Sequence, residues 1–366
     1  MSSRRAISAL KAACELDLPA PSLVPVLLEA LHDVVPSARN LFDWTDERGR
    51  LLHYFIEGPV DDAVARLYFD EFHNRREREV MPAFDSLLQA PAGVRSAAEL
   101  DHPRFFESAL YREIWLPQGL KYRLEAVLRG SRGQLLGSLV LYRGPGDRCF
   151  TRADEQQLAA LLPLLGGALE RSDTPVGPVR HVPRPQATQS LLIGPDRRIG
   201  HASPDARRLL MLANGGITRE RLELPLDRLA APVLDLLLPP VGAAPPSVTQ
   251  ENAWGCFAFM ATPLAPQSAD AGATGAPLVQ VSIHWSEPHH QALQRALRQL
   301  PLTPGQLAVC RDLYLGHSQS WISERLGVAP TTVTDHVRKL YRTLEVRSAL
   351  ELRARVDAAV QTPRAG

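Results

Sequence analysis

The chain has 366 residues, 45% hydrophobic and 22% charged, with 41 lysines and arginines against 40 acids and a formal net charge of +1. That length predicts two or three domains of ordinary soluble composition. Near-neutrality excludes a bulk nucleic-acid coat of the histone kind, so any basic footprint has to be local.

The opening MSSRRAISALKAACELDLP reads as an amphipathic helix without the apolar core of a signal peptide. No uninterrupted run of about 18 apolar residues follows, so a cytoplasmic protein with no membrane span is expected. Cys14, Cys149, Cys256 and Cys310 are scattered and show no C-x-x-C pairing. Free thiols in a reducing compartment are expected, with no metal site and no disulfide framework.

Two helices open the chain, the second over 22–35, followed by strands at NLFDW and LLHYFIE around the turn-forming DERGR. A helix is predicted over 60–72, then irregular chain to Gly119. The strands YRLEAVLRG and QLLGSLVLYR flank a 131–133 turn as a hairpin, and Thr151 caps a terminal helix, DEQQLAALLPLLGGALER. Helices around an antiparallel sheet make residues 1–171 an α+β sensor layout, similar in pattern and order to GAF-like input domains. Trp44, Tyr54, Phe105, Phe106, Tyr111, Arg112, Trp115 and Tyr122 form an aromatic and charged set within it. Such residues can line a small-molecule pocket, with Arg112 meeting a carboxylate or carbonyl; the alternative, favoured for any single residue, is that they fill a core while Arg112 makes a surface pair. Acyl-homoserine-lactone binders share this domain order, but their tryptophan–tyrosine–aspartate spacing does not align here, and that ligand is not assigned.

Residues 172–189, SDTPVGPVRHVPRPQATQ, read as a proline-rich linker. From 190 to 286 come strands SLLIGP and RIGHAS around a tight 196–198 turn, a helix PDARRLLMLA, and strands WGCFAFMATPL and PLVQVSIHW. This order resembles a PAS-like module, carried by LLIGPDRRIGHASPDARRLL; a single larger sensor domain with a proline-rich break is the alternative. PPVGAAPPSVTQ and PLAPQSADAGATGAP read as surface insertions. HHQALQRALRQL, within 287–301, is a connecting helix.

The last segment is continuous in pattern. Leu307, Val309, Cys310 and Leu313 recur at helical spacing, Thr303 and Gln306 make a capping box, and Pro304 opens the helix at no hydrogen-bonding cost. Gly316 ends it. Ser318 caps a second helix whose buried side is predicted to hold Trp321, Ile322 and Leu326, and Gly327 makes the turn. A third helix runs from Pro330 to about Leu344, with Val333, Val337, Leu340, Tyr341 and Leu344 facing inward. Its outward stripe holds Thr331, Thr334, Asp335, Arg338, Lys339 and Arg342. An α-helix fits the major groove of duplex DNA. Arg338 suits a bidentate contact with guanine, Asp335 can accept from cytosine N4, and Thr334 is adaptable. Lys339 and Arg342 suit phosphates. A fourth helix, SALELRARVDAAV, has Leu350, Leu352, Val356, Ala359 and Val360 as apolar positions.

From Leu302 to about Val356 the chain resembles the LuxR-type (FixJ/NarL-like) helix-turn-helix domain of bacterial transcription regulators. The resemblance rests on Leu302, Thr303, Gly316, Ser318, Ile322, Leu326, Thr332, Val333, His336, Leu344 and Val346 in register. Gln306, Trp321, Ser323 and Ala329 depart from it, Ala329 removing a serine cap worth about 1 kcal/mol. The resemblance adds Thr332 and His336 to the DNA-facing set, His336 in a mixed packing and phosphate role. It implies double-stranded DNA as partner, a homodimer through the fourth helix, inverted-repeat promoter sites and contact with RNA polymerase. The predicted fold class is thus an α+β sensor region, GAF-like then PAS-like, before an all-α four-helix DNA-binding domain.

No phosphate loop, H-E-x-x-H or G-x-S-x-G spacing occurs, His289 and His290 are adjacent where a helical metal site wants i, i+4, and RREREV reads as a solvated helix end. No receiver-type acidic pocket is present. A non-enzymatic regulator needing no cofactor is expected, controlled by a small-molecule signal or a partner acting on the N-terminal region. The alternative is an adaptor whose C-terminal helices dock a protein.

Overall fold

A computed structural model describes residues 3–16, 18–46, 48–58, 61–91, 93–171, 180–184, 187–238, 247–264 and 278–361. The chain divides into two compact units: Met1–Pro36, Pro163–Val182 and Pro288–Gly366 form one, and Ser37–Leu162 with Pro183–Glu287 the other. In chain order the first helices are α1 (Ser3–Cys14) and α2 (Ala20–Leu31), followed by strands β1 (Arg39–Thr45) and β2 (Leu51–Ile56). Short helical pieces lead to β3 (Gly93–Arg95), then β4 (Tyr122–Arg129) and β5 (Leu135–Arg143).

In the second unit β1 to β5 form an antiparallel sheet in the order β2-β1-β5-β4-β3. β5 is central, and LLGSLVLYR is buried at eight of its nine positions, as a strand covered on both faces requires. The expected 60–72 helix is an α-helical stretch, Asp62–Leu67, that widens into a π-turn at Tyr68–Phe72. Asp61 caps it, accepting from the amides of Ala63 and Val64. The expected 154–171 helix is two, α3 (Arg152–Ala159) and α4 (Leu162–Arg171). Pro163 explains the break: it has no amide hydrogen, and its ring opposes the carbonyl of Ala159.

The second sheet repeats the first. Its strands β6 (His181–Pro183), β7 (Gln189–Ile193), β8 (Ile199–Ala202), β9 (Ser247–Asn252), β10 (Gly255–Leu264) and β11 (Leu278–Pro288) are arranged β8-β7-β11-β10-β9, with β6 beside β11. Each sheet is thus a hairpin, a helical excursion, and a three-strand run whose last strand returns beside the first. The excursion here holds α5 (Ala206–Ala213), α6 (Arg219–Glu223) and α7 (Leu226–Leu237). Neither β3 nor β9 is expected from the sequence, both being short and polar. Most of the 172–189 linker and of both proline-rich insertions lies outside the described residues, although β6 and the start of β7 fall within the linker's span.

The two sheets share one core. Leu191, Ile193, Leu209, Leu210, Val233, Phe257, Phe259 and Ile283 pack with Tyr54, Ile56 and Phe69. Trp254 stacks on Phe55 at 5.5 Å between ring centroids, and the Tyr54 amide donates to the Ile217 carbonyl at 3.2 Å.

In the other unit α8 (His289–Gln299) lays its apolar stripe against α9 (Pro304–Tyr314) and α12 (Ala349–Gln361), which complete the C-terminal fold with α10 (Gln319–Leu326) and α11 (Pro330–Thr343). The 287–301 stretch is therefore part of this core, with Leu293, Ala296 and Leu297 buried in it. The N-terminal helices, expected from the sequence in the 1–171 domain, belong here as well. Arg298 pairs with Asp33 at 2.6 Å, and Arg311 donates to the Ala12 carbonyl at 2.7 Å. Amphipathic periodicity shows that such helices have a buried face but not which core buries it.

Candidate nucleic-acid interface

Local sequence sets the three helices that present the candidate surface. At the start of α9 the Thr303 hydroxyl accepts from the Gln306 amide while the Gln306 side chain accepts from the Thr303 amide, as the capping box requires. Ser318 caps α10 by accepting from the Trp321 amide, and Gly327 closes it at φ 62°. Gly316, at φ 92°, lets the chain leave α9 in the left-handed region. Ala329 offers α11 no side-chain cap. Val309, Ile322, Val333 and Val337 make the small core beneath these helices. An ion triad stiffens it: Asp312, 1% exposed, lies 3.2 Å from Arg311 Nε and 2.5 Å from Arg325 Nη2. Arg325 also reaches Glu15 at 2.8 Å.

The stripe on α11 is laid out largely as its periodicity predicts. Thr331, Thr332, Thr334, Arg338, Lys339 and Arg342 are exposed, and Asp335 and His336 are half-buried. The Thr334 hydroxyl is engaged, donating to the Pro330 carbonyl at 3.1 Å and to Gln319 Oε1 at 3.3 Å, which ties α11 to α10. Lys339 Nζ sits 2.7 Å from Asp335 Oδ2, one turn back. That hydrogen bond holds the Asp335 carboxyl below its usual range. Among the described residues Arg338 and Arg342 have no carboxylate within 4.0 Å, so they are the cations this face offers undiminished. His336 turns toward α9, its ring against Gly305 and its Nδ1 buried without a hydrogen-bond partner. Packing is therefore its visible role.

Two apolar positions differ from expectation. Trp321 is 40% exposed and stacks on His317 at 3.8 Å between centroids, because Ile322, one residue on, takes the buried position. Leu350 is 78% exposed while Leu352, Val356 and Val360 face the core. The helix repeat brings 352, 356 and 360 to one side and leaves 350 on another.

The pocket candidates of the N-terminal region separate. Tyr54 and Trp115 line a cavity of about 130 Å³ against the first sheet. Trp44 stacks on His53 at 4.3 Å and meets Trp254 edge-on at 6.0 Å, which places it in the join of the two sheets. Tyr111 packs on Phe105 and Phe106, and Tyr122 lies edge-on to Phe106 at 6.1 Å. Arg112 is exposed, its Nε donating to the Ser108 carbonyl at 3.4 Å. The arginine in the cavity wall is Arg123 instead.

Residues 300–355 match the model of the family described as "Bacterial regulatory proteins, luxR family". The C-terminal segment carries a LuxR-family helix-turn-helix. The match spans well under half of the chain and says nothing of the rest. No curated protein matches the sequence. Among solved structures, the chain is similar to the cyanobacteriochrome TePixJ GAF domain, at 14% identity over 44% of this chain and 94% of that one, TM-score 0.31. It is also similar to the DhaR(N)-DhaL complex of E. coli (15% identity, 77% and 87% covered, TM-score 0.25). A third is the bacteriophytochrome RpBphP3 of the photosynthetic bacterium R. palustris (10%, 78% and 63%, TM-score 0.28). With TM-scores below 0.5, these likenesses carry no functional weight.

Two sets of residues are not singled out by the sequence. One is Arg311, Asp312 and Arg325, of which Arg311 and Asp312 are buried although they interrupt the apolar run of α9. In YRLEAVLR the charges of Arg123 and Glu125 alternate with apolar residues, which suggests a solvent face, but every position from 123 to 128 is buried.

Proposed function

We propose that this protein is a sequence-specific DNA-binding transcription regulator, acting as a dimer in the cytoplasm, with α11 reading the major groove. The observation that carries it is the α11 stripe: exposed threonines at the helix start, then Arg338 and Arg342 without acidic partners, on a segment that matches the luxR family. A helix so placed brings N-terminal residues to base edges and later cations to phosphates. Exposed Leu350 on α12 supports pairing of two copies through that helix, and two-fold pairing calls for inverted-repeat sites about one DNA turn apart.

The two sheets of like strand order would be the input modules, GAF-like and then PAS-like, in a division close to 37–162 and 183–287. They regulate by favouring one arrangement of the dimer, which requires a signal with unequal affinity for the two.

Fluorescence anisotropy of the full chain on its own upstream DNA tests the reading. Binding is expected to weaken steeply with salt. Arg338→Ala is expected to cost about 1–3 kcal/mol on the preferred site and to relax preference at one base position. With the C-terminal segment folded, no binding at low salt overturns the reading, and a salt-insensitive complex with a protein would establish the adaptor in its place.

A further inference from the structure

The cavity against the first sheet contains more hydrogen-bond donors than the protein uses. Arg123, on β4, is 3% exposed. Its Nε and Nη2 are buried without a partner, and Nη1 donates only to Met81 Sδ at 3.1 Å. Asp101 accepts from its backbone amide at 3.3 Å, but among the described residues no carboxylate lies within 4.0 Å of its guanidinium nitrogens. Trp115 adds a third orphan: its Nε1 is also buried and unpartnered, and its ring centroid is 5.6 Å from the Arg123 guanidinium carbon. Both residues line the cavity. Buried charges are ordinarily paired, and a buried donor left without an acceptor costs free energy.

The acids in the same wall are satisfied. Glu77 accepts from the Tyr68 hydroxyl at 2.9 Å and from the amides of Asn74 and Phe84 at 2.7 and 3.0 Å. Asp43 accepts from the Ser138 hydroxyl at 3.0 Å, and Glu125 pairs with Arg95 at 3.6 Å. An occupant is therefore asked for acceptors and not for a positive charge. Nε and Nη2 form one edge of the guanidinium, the edge that takes a carboxylate through two parallel N–H···O bonds. The rest of the wall is mostly aliphatic and aromatic, and about 130 Å³ is close to the roughly 150 Å³ that admits a benzene ring.

We infer that this cavity binds a small monocarboxylate with an apolar body of one ring or a short branched chain, its carboxylate on Arg123 and Trp115. The inference deepens the sensory half of the proposed function. It is tested without DNA, so its failure leaves the DNA-binding reading standing, and the converse holds.

Calorimetry and thermal shift of the full chain with benzoate, phenylacetate and isovalerate provide the test, against benzamide, benzyl alcohol and benzylamine. At least one carboxylate is expected to bind and raise Tm, about tenfold or more tighter than the neutral and cationic compounds. Arg123→Met removes an unpaired buried charge, so it is expected to fold at least as well as the parent and to lose the carboxylate-induced shift. Trp115→Phe keeps the ring and removes the N–H, weakening binding about fivefold, and it serves as the probe should the first variant not fold. The inference is overturned if none of the three carboxylates binds. Equal binding of benzamide or benzylamine, or parental affinity in either variant, overturns it as well.

Discussion

The ring of His336 on α11 lies against the backbone of Gly305 on α9, so close that a Cβ at 305 would stand 2.7 Å from its Cε1. Glycine to alanine within a helix ordinarily stabilises by up to about 1 kcal/mol. Here the gain is opposed by displacement of the imidazole, so Gly305→Ala is expected to be neutral or destabilising by up to about 1 kcal/mol. In a His336→Ala background the same change should stabilise by roughly 0.5–1 kcal/mol. Urea denaturation of the four proteins gives the coupling, and strict additivity would remove the packing role of His336.

The Asp335–Lys339 pair partly neutralises the exposed stripe of α11. Asp335→Asn should release Lys339 and tighten binding to DNA of any sequence, whereas Arg342→Ala should lower the salt slope by about 0.9. Anisotropy titrations over roughly 50–200 mM salt measure both. Unchanged slopes and affinities would place this stripe off the duplex.

Asp312 holds two arginines, and Arg311 is itself only 6% exposed. Asp312→Ala leaves that cation buried without its main partner and should cost about 3–5 kcal/mol. A loss below about 1 kcal/mol in urea unfolding would show that Arg311 finds water instead.

Burial pushes the Asp43 carboxyl up to about 8. A carboxyl raised in the fold contributes stability below its unfolded value near 3.9, and that stability is lost as pH climbs toward 8. Burial holds His53 and His73 down at about 4, which acts in the opposite direction: their contribution is present above about 6.5 and fades as pH falls toward 4. Asp43→Asn should therefore gain stability on the parent from about pH 4 to 8 and no more above it. Tm measured across that range checks this, and a constant difference would mean that Asp43 is ionised in the folded protein.

Helices α9 and α10 were legible because each of their ends is written locally, in Thr303 with Gln306, in Ser318, and in Gly316 and Gly327. The α11 stripe followed from the same periodicity. What stayed hidden depends on contacts made far along the chain. Nothing near Arg123 says that its strand face is covered, and nothing near Arg112 says that it remains outside. Leu350 and Trp321 are apolar, but whether a hydrophobe faces a core is decided by which neighbour fills that core first. The likeness of the two sheets was also invisible, since β3 and β9 have no apolar alternation to announce them.

Arg311 on α9 grips the carbonyl of Ala12 on α1 across 299 positions. A ribosome adding about 5–20 residues per second needs roughly 15–60 s to travel that distance. Through that interval α1 exists as a nascent segment awaiting a counterpart not yet synthesised. Closure of the helical unit around α11 therefore waits until Arg311 and the helices after it have been made.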